Sequence, residues 1–352
     1  MSLLDESAPV RDGEALDARR LGEYLAAQIP GLALPLGVRQ FPSGFSNLTY
    51  LLTAGSRELV LRRPPQGTRP KSGHDMSREF RVLCALQGDF AESPRPLHLC
   101  ADESVIGAPF YVVERIRGII LRRDYPAELE PTPAIVHAQQ CALIDVLARL
   151  HGLDHHALGL GEFGRPDGYV ARQVEGWSGR YLHALTGDAA GADAVTEWLA
   201  ANGPVEATPA ALIHNDYKLD NVVFDAASPT RLIGVLDWEM ATVGDPWMDL
   251  GCSLAYWVES GDPAELRQTR MLPTHLPGSL TRAEVVQRYA SARAMDTPEF
   301  RFYRVFGLFR LAVIVQQIYY RFFHGQTRDS RFAALGPMAR VLIASAETEV
   351  RA

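Results

Sequence analysis

Apolar positions recur at helical spacing over residues 14–29, where Leu16, Leu21, Tyr24, Leu25 and Ile29 share a face and Pro30 stops the pattern. The next stretch reads at strand spacing. Val38–Pro42 and Leu48–Ala54 are two strands joined by a turn over 42–47. A third strand, Glu58–Arg62, ends at Pro64-Pro65, because proline has no N–H to give a ladder. A loop over 64–77 leads to a helix over 78–87, with Phe80, Leu83 and Leu86 on one side. Strands over 94–99 and 109–115 follow. The pattern predicts a small, mostly antiparallel sheet with one helix packed on it.

After Gly118 the texture becomes helical. Helices are predicted over 134–150, 168–185, 192–201, 283–294 and 299–323, and strands only at 212–213, 222–224 and 232–236. There is no internal repeat and no low-complexity linker. The fold class is therefore α+β. A β-rich lobe over 1–115 is joined through Glu114–Gly118 to a larger helical lobe over 116–352.

The most apolar stretch, Phe306–Phe323, is long enough to raise the question of a membrane span. Arg310, Gln316, Gln317 and Arg321 interrupt it, and such residues are costly in hydrocarbon, so it reads as a buried helix and no span is expected.

Composition narrows the function classes. The chain has 352 residues and a net charge of -7, which argues against nucleic acid as a partner because such binders carry a basic footprint. Cys84, Cys100, Cys141 and Cys252 are scattered, without zinc spacing or the density of a disulfide framework, which suggests a reducing, cytoplasmic setting. The start, MSLLDESAPVRDGE, is polar and acidic and contains no signal-peptide core.

The chemistry concentrates in 212–249. His214, Asp216, Lys218 and Asn221 share one short loop, and a strand then delivers Asp237. Phosphoryl transfer from a Mg-nucleotide needs such a set: one carboxylate to orient and deprotonate a hydroxyl, and two oxygen-bearing groups to hold metal on the phosphates. Lys218, two residues after Asp216, either reaches the transferring phosphate or is a solvated lysine. His214 is expected to support the loop backbone. Glu239, two residues after Asp237, points the same way on a strand and serves a second metal, the substrate or structure. Asp249 reads as a helix-starting residue that accepts backbone N–H bonds. His151 and His155 have helical metal-ligand spacing, but Gly152 between them reads as a helix end. The aromatics Phe300, Phe302, Tyr303, Phe306 and Phe309 are core, or in part line an acceptor pocket.

H-N-D-Y-K-L-D-N at 214–221, V-L-D-W-E at 235–239 and G-D-P-W-M-D-L at 244–250 resemble the aminoglycoside phosphotransferase and choline kinase-like family, of the protein-kinase-like fold. The resemblance runs over residues 35–325. It is nearest to bacterial phosphotransferases related to the N-terminal domains of acyl-CoA dehydrogenase fusions. G-F-S-N-L-T-Y-L-L at 44–52, L-V-L-R-R-P-P at 59–65, R-E-F-R-V-L at 78–83 and G-A-P-F-Y-V-V-E at 107–114 carry that part.

The resemblance implies that Asp216 is the catalytic base and that Asn221 and Asp237 bind Mg²⁺. It implies that Glu79 pairs with a strand cation near the phosphates, that Ser46 and Asn47 donate to phosphate, and that the backbone at Glu114 and Ile116 meets the adenine edge. The cation is usually lysine. Here Arg62 fits the position best, followed by Arg63, and a planar fork is not a compact ammonium. The glycine-rich phosphate loop of protein kinases is reduced to Gly44.

The expected function is Mg-dependent transfer of the γ-phosphate of ATP, or GTP, to a hydroxyl of a small molecule. Arg117, Arg122 and Arg123 tilt the acceptor toward a neutral or anionic compound, as does the fusion habit of the subgroup. The rival is a nucleotide-binding scaffold without transfer, motivated by Arg62. A protein kinase is disfavoured because G-D-P-W-M-D follows Asp237 with no activation segment between.

Overall fold

A computed structural model describes residues 3–42, 47–65, 75–204, 208–327 and 329–352. The chain separates into two compact units. The first holds Met1–Ile120, Pro126–Leu129 and Asn221–Ala241, and the second holds Leu121–Tyr125, Glu130–Asp220 and Thr242–Ala352.

In the first unit, α1 (Ala18–Gln28) starts at Asp17, whose carboxylate accepts the Arg20 N–H. Strands β1 (Gly37–Gln40), β2 (Leu48–Ala54) and β3 (Arg57–Arg63) follow, then α2 (Met76–Ala85), β4 (Pro96–Cys100) and β5 (Phe110–Glu114). The sheet is antiparallel throughout, in the order β1-β2-β3-β5-β4. The β2–β3 hairpin turns on Gly55 at φ +62°, a conformation that favours glycine.

Strand alternation gives the sheet two faces. Tyr50, Leu52, Leu59, Leu61, Phe110 and Val112 pack with Leu21 and Leu25 of α1 in one core. The opposite face carries Arg62 and meets α2, where the Phe80 ring lies 6.1 Å from that of Tyr111. The same alternation turns Arg63 to the α1 side, buried, with Nη1 donating to the Ile106 carbonyl at 2.9 Å. Helix α2 begins two residues before the predicted start, because Asp75 caps it by accepting the Ser77 and Arg78 N–H groups.

The second unit opens with α3 (Pro133–His151), α4 (Tyr169–His183), α5 (Asp193–Ala201) and β6 (Ala211–Ile213). The chain returns to the first unit for the hairpin β7 (Val222–Phe224) and β8 (Leu232–Val235). There Ile119 pairs with Phe224, and the Val235 N–H donates to the Glu92 carbonyl at 2.8 Å. The second unit resumes with β9 (Thr242–Gly244), which pairs with β6. Helices α6 (Pro246–Ala255), α7 (Ala264–Gln268), α8 (Arg282–Arg293), α9 (Arg301–Phe323) and α10 (Leu335–Arg351) complete it.

Helix α9 is the apolar stretch singled out above, and it is core. Its buried polar groups are bonded to backbone: Arg304 Nη1 to Leu254 O at 2.7 Å, and Gln316 Nε2 to Ala184 O at 2.9 Å. Gly307 of α9 lies against the backbone of Gly251 in α6, with no room for a Cβ. Phe302, Tyr303, Phe306 and Phe309 are buried core, while Phe300, the fifth aromatic of the cluster, is half-buried. Among the described residues, no helix is long and apolar enough to cross a membrane. The unpredicted α10 buries Ala339, Leu342, Ile343 and Ala346, a helical stripe readable in the sequence.

Candidate active site

In the first unit, the β7–β8 hairpin sets the two expected metal ligands side by side. The Leu236 N–H donates to the Asn221 carbonyl at 2.8 Å, so Asn221 faces the residue just before Asp237. Asp237 itself sits at φ +68°, ψ +63°, a left-handed conformation that Asp tolerates better than most side chains. The neighbouring Trp238 anchors it. Its indole N–H donates to Val235 O at 2.9 Å, its ring lies 6.0 Å from that of Phe90, and its backbone N–H donates to Glu79 Oε1 at 3.1 Å.

Arg62 organises the surrounding charge. One arm of its guanidinium donates to Glu79 Oε1 at 2.7 Å, and the other to Asp237 Oδ1 at 2.9 Å, with Glu239 Oε2 at 3.6 Å. The two carboxylates are held by separate nitrogens of one planar fork, whereas a lysine would have to hold both from a single nitrogen. Burial alone would lower the Arg62 pKa, but Asp237 and Glu79 more than offset that and hold it well above its ordinary value. Burial pushes the Glu79 carboxyl up, against the pull of Arg62.

Asn47 sits two residues before Thr49, the partner of Arg62 across β2–β3, and so shares its face. It is buried, and its amide donates to Glu239 Oε2 at 2.6 Å. The structure thus brings Asn47, Arg62, Glu79, Asp237 and Glu239 into one cluster. Glu239, left open between three roles by the sequence, is the acceptor for Asn47. Glu114 closes the β3–β5 pairing and gives its N–H to Arg95 O at 2.9 Å. The Ile116 side chain packs against Gly234. Ser46, the glycine turn around it and the loop over 66–74 lie outside the described residues.

In the second unit, the loop that carries Asp216 is pinned by Asp249. This carboxylate accepts the backbone N–H of His214 at 2.7 Å and that of Asn215 at 2.8 Å. It also lies 3.1 Å from His151 Nε2, and His151 Nδ1 lies 2.6 Å from the Tyr289 hydroxyl. Burial would raise the Asp249 carboxyl, but the bonds from His151 and the His214 amide prevail, and it is held below its ordinary value. Asp249 therefore does not start its helix, contrary to the sequence expectation. Asp245 does, accepting the Trp247 and Met248 N–H groups at 2.8 and 3.0 Å. Asp249 lies one turn in, and its carboxylate is spent on a loop 35 residues away in sequence.

His214 Nδ1 accepts the Asp216 N–H at 3.2 Å, a backbone-supporting contact. Lys218 Nζ donates to Asp216 Oδ2 at 2.6 Å and lies 3.4 Å from Asp220 Oδ1. Its solvated reading does not hold, because the ammonium is largely buried. Burial would lower its pKa, but Asp216 and Asp220 raise it further, so it stays charged.

Three contributors were not read from the sequence. Asn215 has φ +63°, its side-chain oxygen accepts from the Tyr169 hydroxyl at 3.3 Å, and its carbonyl accepts from Arg310 Nη2 at 2.7 Å. The tolerance of asparagine for positive φ is the local signal that could have marked the turn. Nothing in the linear pattern marks Tyr169 or Arg310, which reach the loop from α4 and α9.

With this geometry in hand, comparison with known proteins decides the family. The model of the Phosphotransferase enzyme family matches residues 37–273. The chain belongs to that family. A provisionally assigned aminoglycoside phosphotransferase of Ralstonia eutropha JMP134 is 30% identical, with a TM-score of 0.80 over 96% of this chain and 99% of its own. An aminoglycoside phosphotransferase solved with streptomycin and ATP shares the fold at 17% identity and TM-score 0.55, over 86% of this chain and 90% of its own. Mouse acyl-CoA dehydrogenase family member 10 is 35% identical over 325 residues, 92% of this chain. The chain spans only 30% of that relative's length. The two-lobed kinase-like fold expected from the motifs is the fold of these structures, with a small antiparallel β lobe and a large helical lobe.

Proposed function

We propose that this phosphotransferase moves the γ-phosphate of ATP, or of GTP, to a hydroxyl of a small molecule, with Asp216 as the base. The observation that carries the reading is the cluster at the end of β8. There the Arg62–Glu79 pair, Asp237 and the neighbouring Asn221 gather a cation for phosphate and two hard oxygen donors for a divalent metal.

Magnesium fits those donors. It favours carboxylate and carbonyl oxygens and completes its sphere with phosphate oxygens and water. Among the described residues, no group of three or more His, Cys, Asp or Glu side chains is arranged to hold a metal by itself. Asn221 and Asp237 would hold Mg²⁺, which would neutralise phosphate charge. Arg62, fixed by Glu79, would grip a phosphate with its planar fork. Asp216 would align the acceptor hydroxyl and take its proton, with Lys218 on one of its oxygens supplying positive charge beside the transferring phosphate.

The relative's name, an acyl-CoA dehydrogenase, directs the acceptor search to hydroxylated acyl compounds ahead of polycations. The reading places the chain in the cytoplasm, where ATP and Mg²⁺ are at hand. The scaffold reading keeps one specific support: Arg62 lies 2.9 Å from the carboxylate that metal would need.

A thermal-shift titration with ATP and Mg²⁺ tests nucleotide binding. Wild type should be stabilised only when both are present, and Asp237→Ala should lose the effect. ADP release on hydroxylated acyl compounds and on aminoglycosides tests transfer, and Asp216→Asn should lower kcat about 10²–10⁴-fold with ATP binding intact. Stabilisation without turnover on any hydroxyl would establish the scaffold.

A further inference from the structure

One face of helix α6 follows the loop that carries Asp216. Asp249, Ser253 and Tyr256 recur on it at spacings of four and three residues. Asp249 takes the His214 and Asn215 amides. One turn on, Ser253 Oγ donates to the Tyr217 carbonyl at 2.6 Å. Tyr256 closes the helix, still helical at φ -84°, ψ -6°, and the Lys218 ammonium lies 5.5 Å from the centroid of its ring.

The third contact differs from the first two. The Tyr256 side chain is half-buried, yet its hydroxyl has no hydrogen-bond partner among the described residues and is not sealed from solvent. Tyr169, Tyr181, Tyr217 and Tyr289 of the same unit each commit the hydroxyl to a protein partner. A polar group in such a place is ordinarily bonded, so an open hydroxyl beside Asp216 points to a partner from outside the protein. Burial raises the Tyr256 pKa and Asp216 raises it further, while Lys218 and Arg310 pull against them. The phenol therefore keeps its proton at neutral pH and is a hydrogen-bond donor. The charges around it balance, Asp216 and Asp220 against Lys218 and Arg310.

We propose that Tyr256 contacts the acceptor, its hydroxyl donating a hydrogen bond to a second oxygen of the molecule whose reacting hydroxyl is held on Asp216. The inference rests on the phosphotransferase reading and adds a specificity residue to it. Asp216 and Tyr256 flank one ammonium, since Lys218 Nζ lies 2.6 Å from Asp216 Oδ2 and packs on the Tyr256 ring. Both therefore meet the same small part of the acceptor, and the second oxygen lies within a few bonds of the reacting hydroxyl. It is an uncharged hydroxyl or carbonyl, in keeping with the balanced charge around the phenol. A lone alcohol would leave the phenol without its partner.

The test uses four compounds built on one carbinol, with the full chain: octan-3-ol, octane-1,3-diol, methyl 3-hydroxyoctanoate and 1-aminooctan-3-ol. ADP release should favour the diol or the ester over octan-3-ol by about tenfold in kcat/KM, the effect of one hydrogen bond. Preference for the diol would identify a hydroxyl at Tyr256, and preference for the ester a carbonyl. Tyr256→Phe removes only the hydroxyl and keeps the ring on Lys218, so it should bring the ratio to about one. That hydroxyl is unbonded in the free protein, so the variant should keep the wild-type unfolding midpoint. A lower midpoint would reveal a partner within the protein and overturn the inference. Calorimetry with the same compounds and no nucleotide reads the contact apart from transfer. A binding preference that Tyr256→Phe loses supports the contact even if no phosphate moves, in which case the phosphotransferase reading fails by itself. Equal use and equal binding of octan-3-ol and its oxygenated counterparts, a preference that survives in Tyr256→Phe, or a preference for the amine would overturn the inference.

Discussion

At the scale of single residues, Arg62 and Asp249 show how a charge is assigned by its neighbours. Arg62 bridges Glu79 and Asp237. Lysine at this position would keep Glu79 and release Asp237, leaving the carboxylate for metal. Arg62→Lys should therefore lower the Mg²⁺ concentration for half-maximal stabilisation by ATP several-fold, read by thermal shift at fixed nucleotide. An unchanged midpoint would mean that the Arg62–Asp237 contact does not compete with metal.

Asp249 is buried, charged and hydrogen-bonded, and its pKa is depressed below the ordinary 3.8. A depressed carboxyl contributes stability that is present above the unfolded-state pKa and lost as pH falls through the folded one. Asp249→Asn should cost about 3 kcal/mol near neutral pH, because it weakens bonds to two backbone amides and to His151. The gap to wild type in urea unfolding should stay constant down to about pH 5 and narrow below about pH 4. A gap that is independent of pH would show that the charge of Asp249 contributes nothing.

At the scale of elements, the site depends on how helices are brought together. Helices α6 and α9 approach backbone to backbone at Gly251 and Gly307, and α6 carries Asp249 while α9 carries Arg310. A Cβ at position 307 would meet the Gly251 carbonyl, which is main chain and cannot swing aside. Gly307→Val should destabilise by about 1–3 kcal/mol or more and lower kcat further than Mg-ATP affinity. Denaturant midpoints and steady-state kinetics check both. The wild-type midpoint in that variant would mean that α9 can shift without cost.

At the scale of the whole molecule, the hairpin Asn221–Ala241 belongs by contact to the unit built from the first 120 residues, although it lies beyond α5 in sequence. Its hydrogen bonds to Glu92 and Ile119 explain why. Mg-ATP should slow amide hydrogen exchange in this hairpin together with β3 and α2. Protection confined to α8–α10 would place the nucleotide elsewhere.

The order of the larger elements up to α9 and the family motifs of the 214–249 window were legible from the chain, because strand and helix periodicity are local and the motif residues lie close together in sequence, whereas β9, α7 and α10 were not predicted. Element starts slipped by two to four residues where a cap decided them, as Asp75 did for α2 and Asp17 for α1, which begins at Ala18 and not at 14. Strand alternation also puts Arg62 and Arg63 on opposite faces of β3, and the resemblance pointed to Arg62, which the fold turns toward α2. The sequence did not determine what Arg62 holds, which carboxylate pins the Asp216 loop, or that Arg310 of α9 reaches the Asn215 carbonyl. Those facts depend on side chains from elements 17 to 175 residues apart, or from helices whose partners only packing selects. The identity of a charged residue fixes what it can bond, and the tertiary structure decides which partner comes within the few ångströms over which a buried hydrogen bond acts.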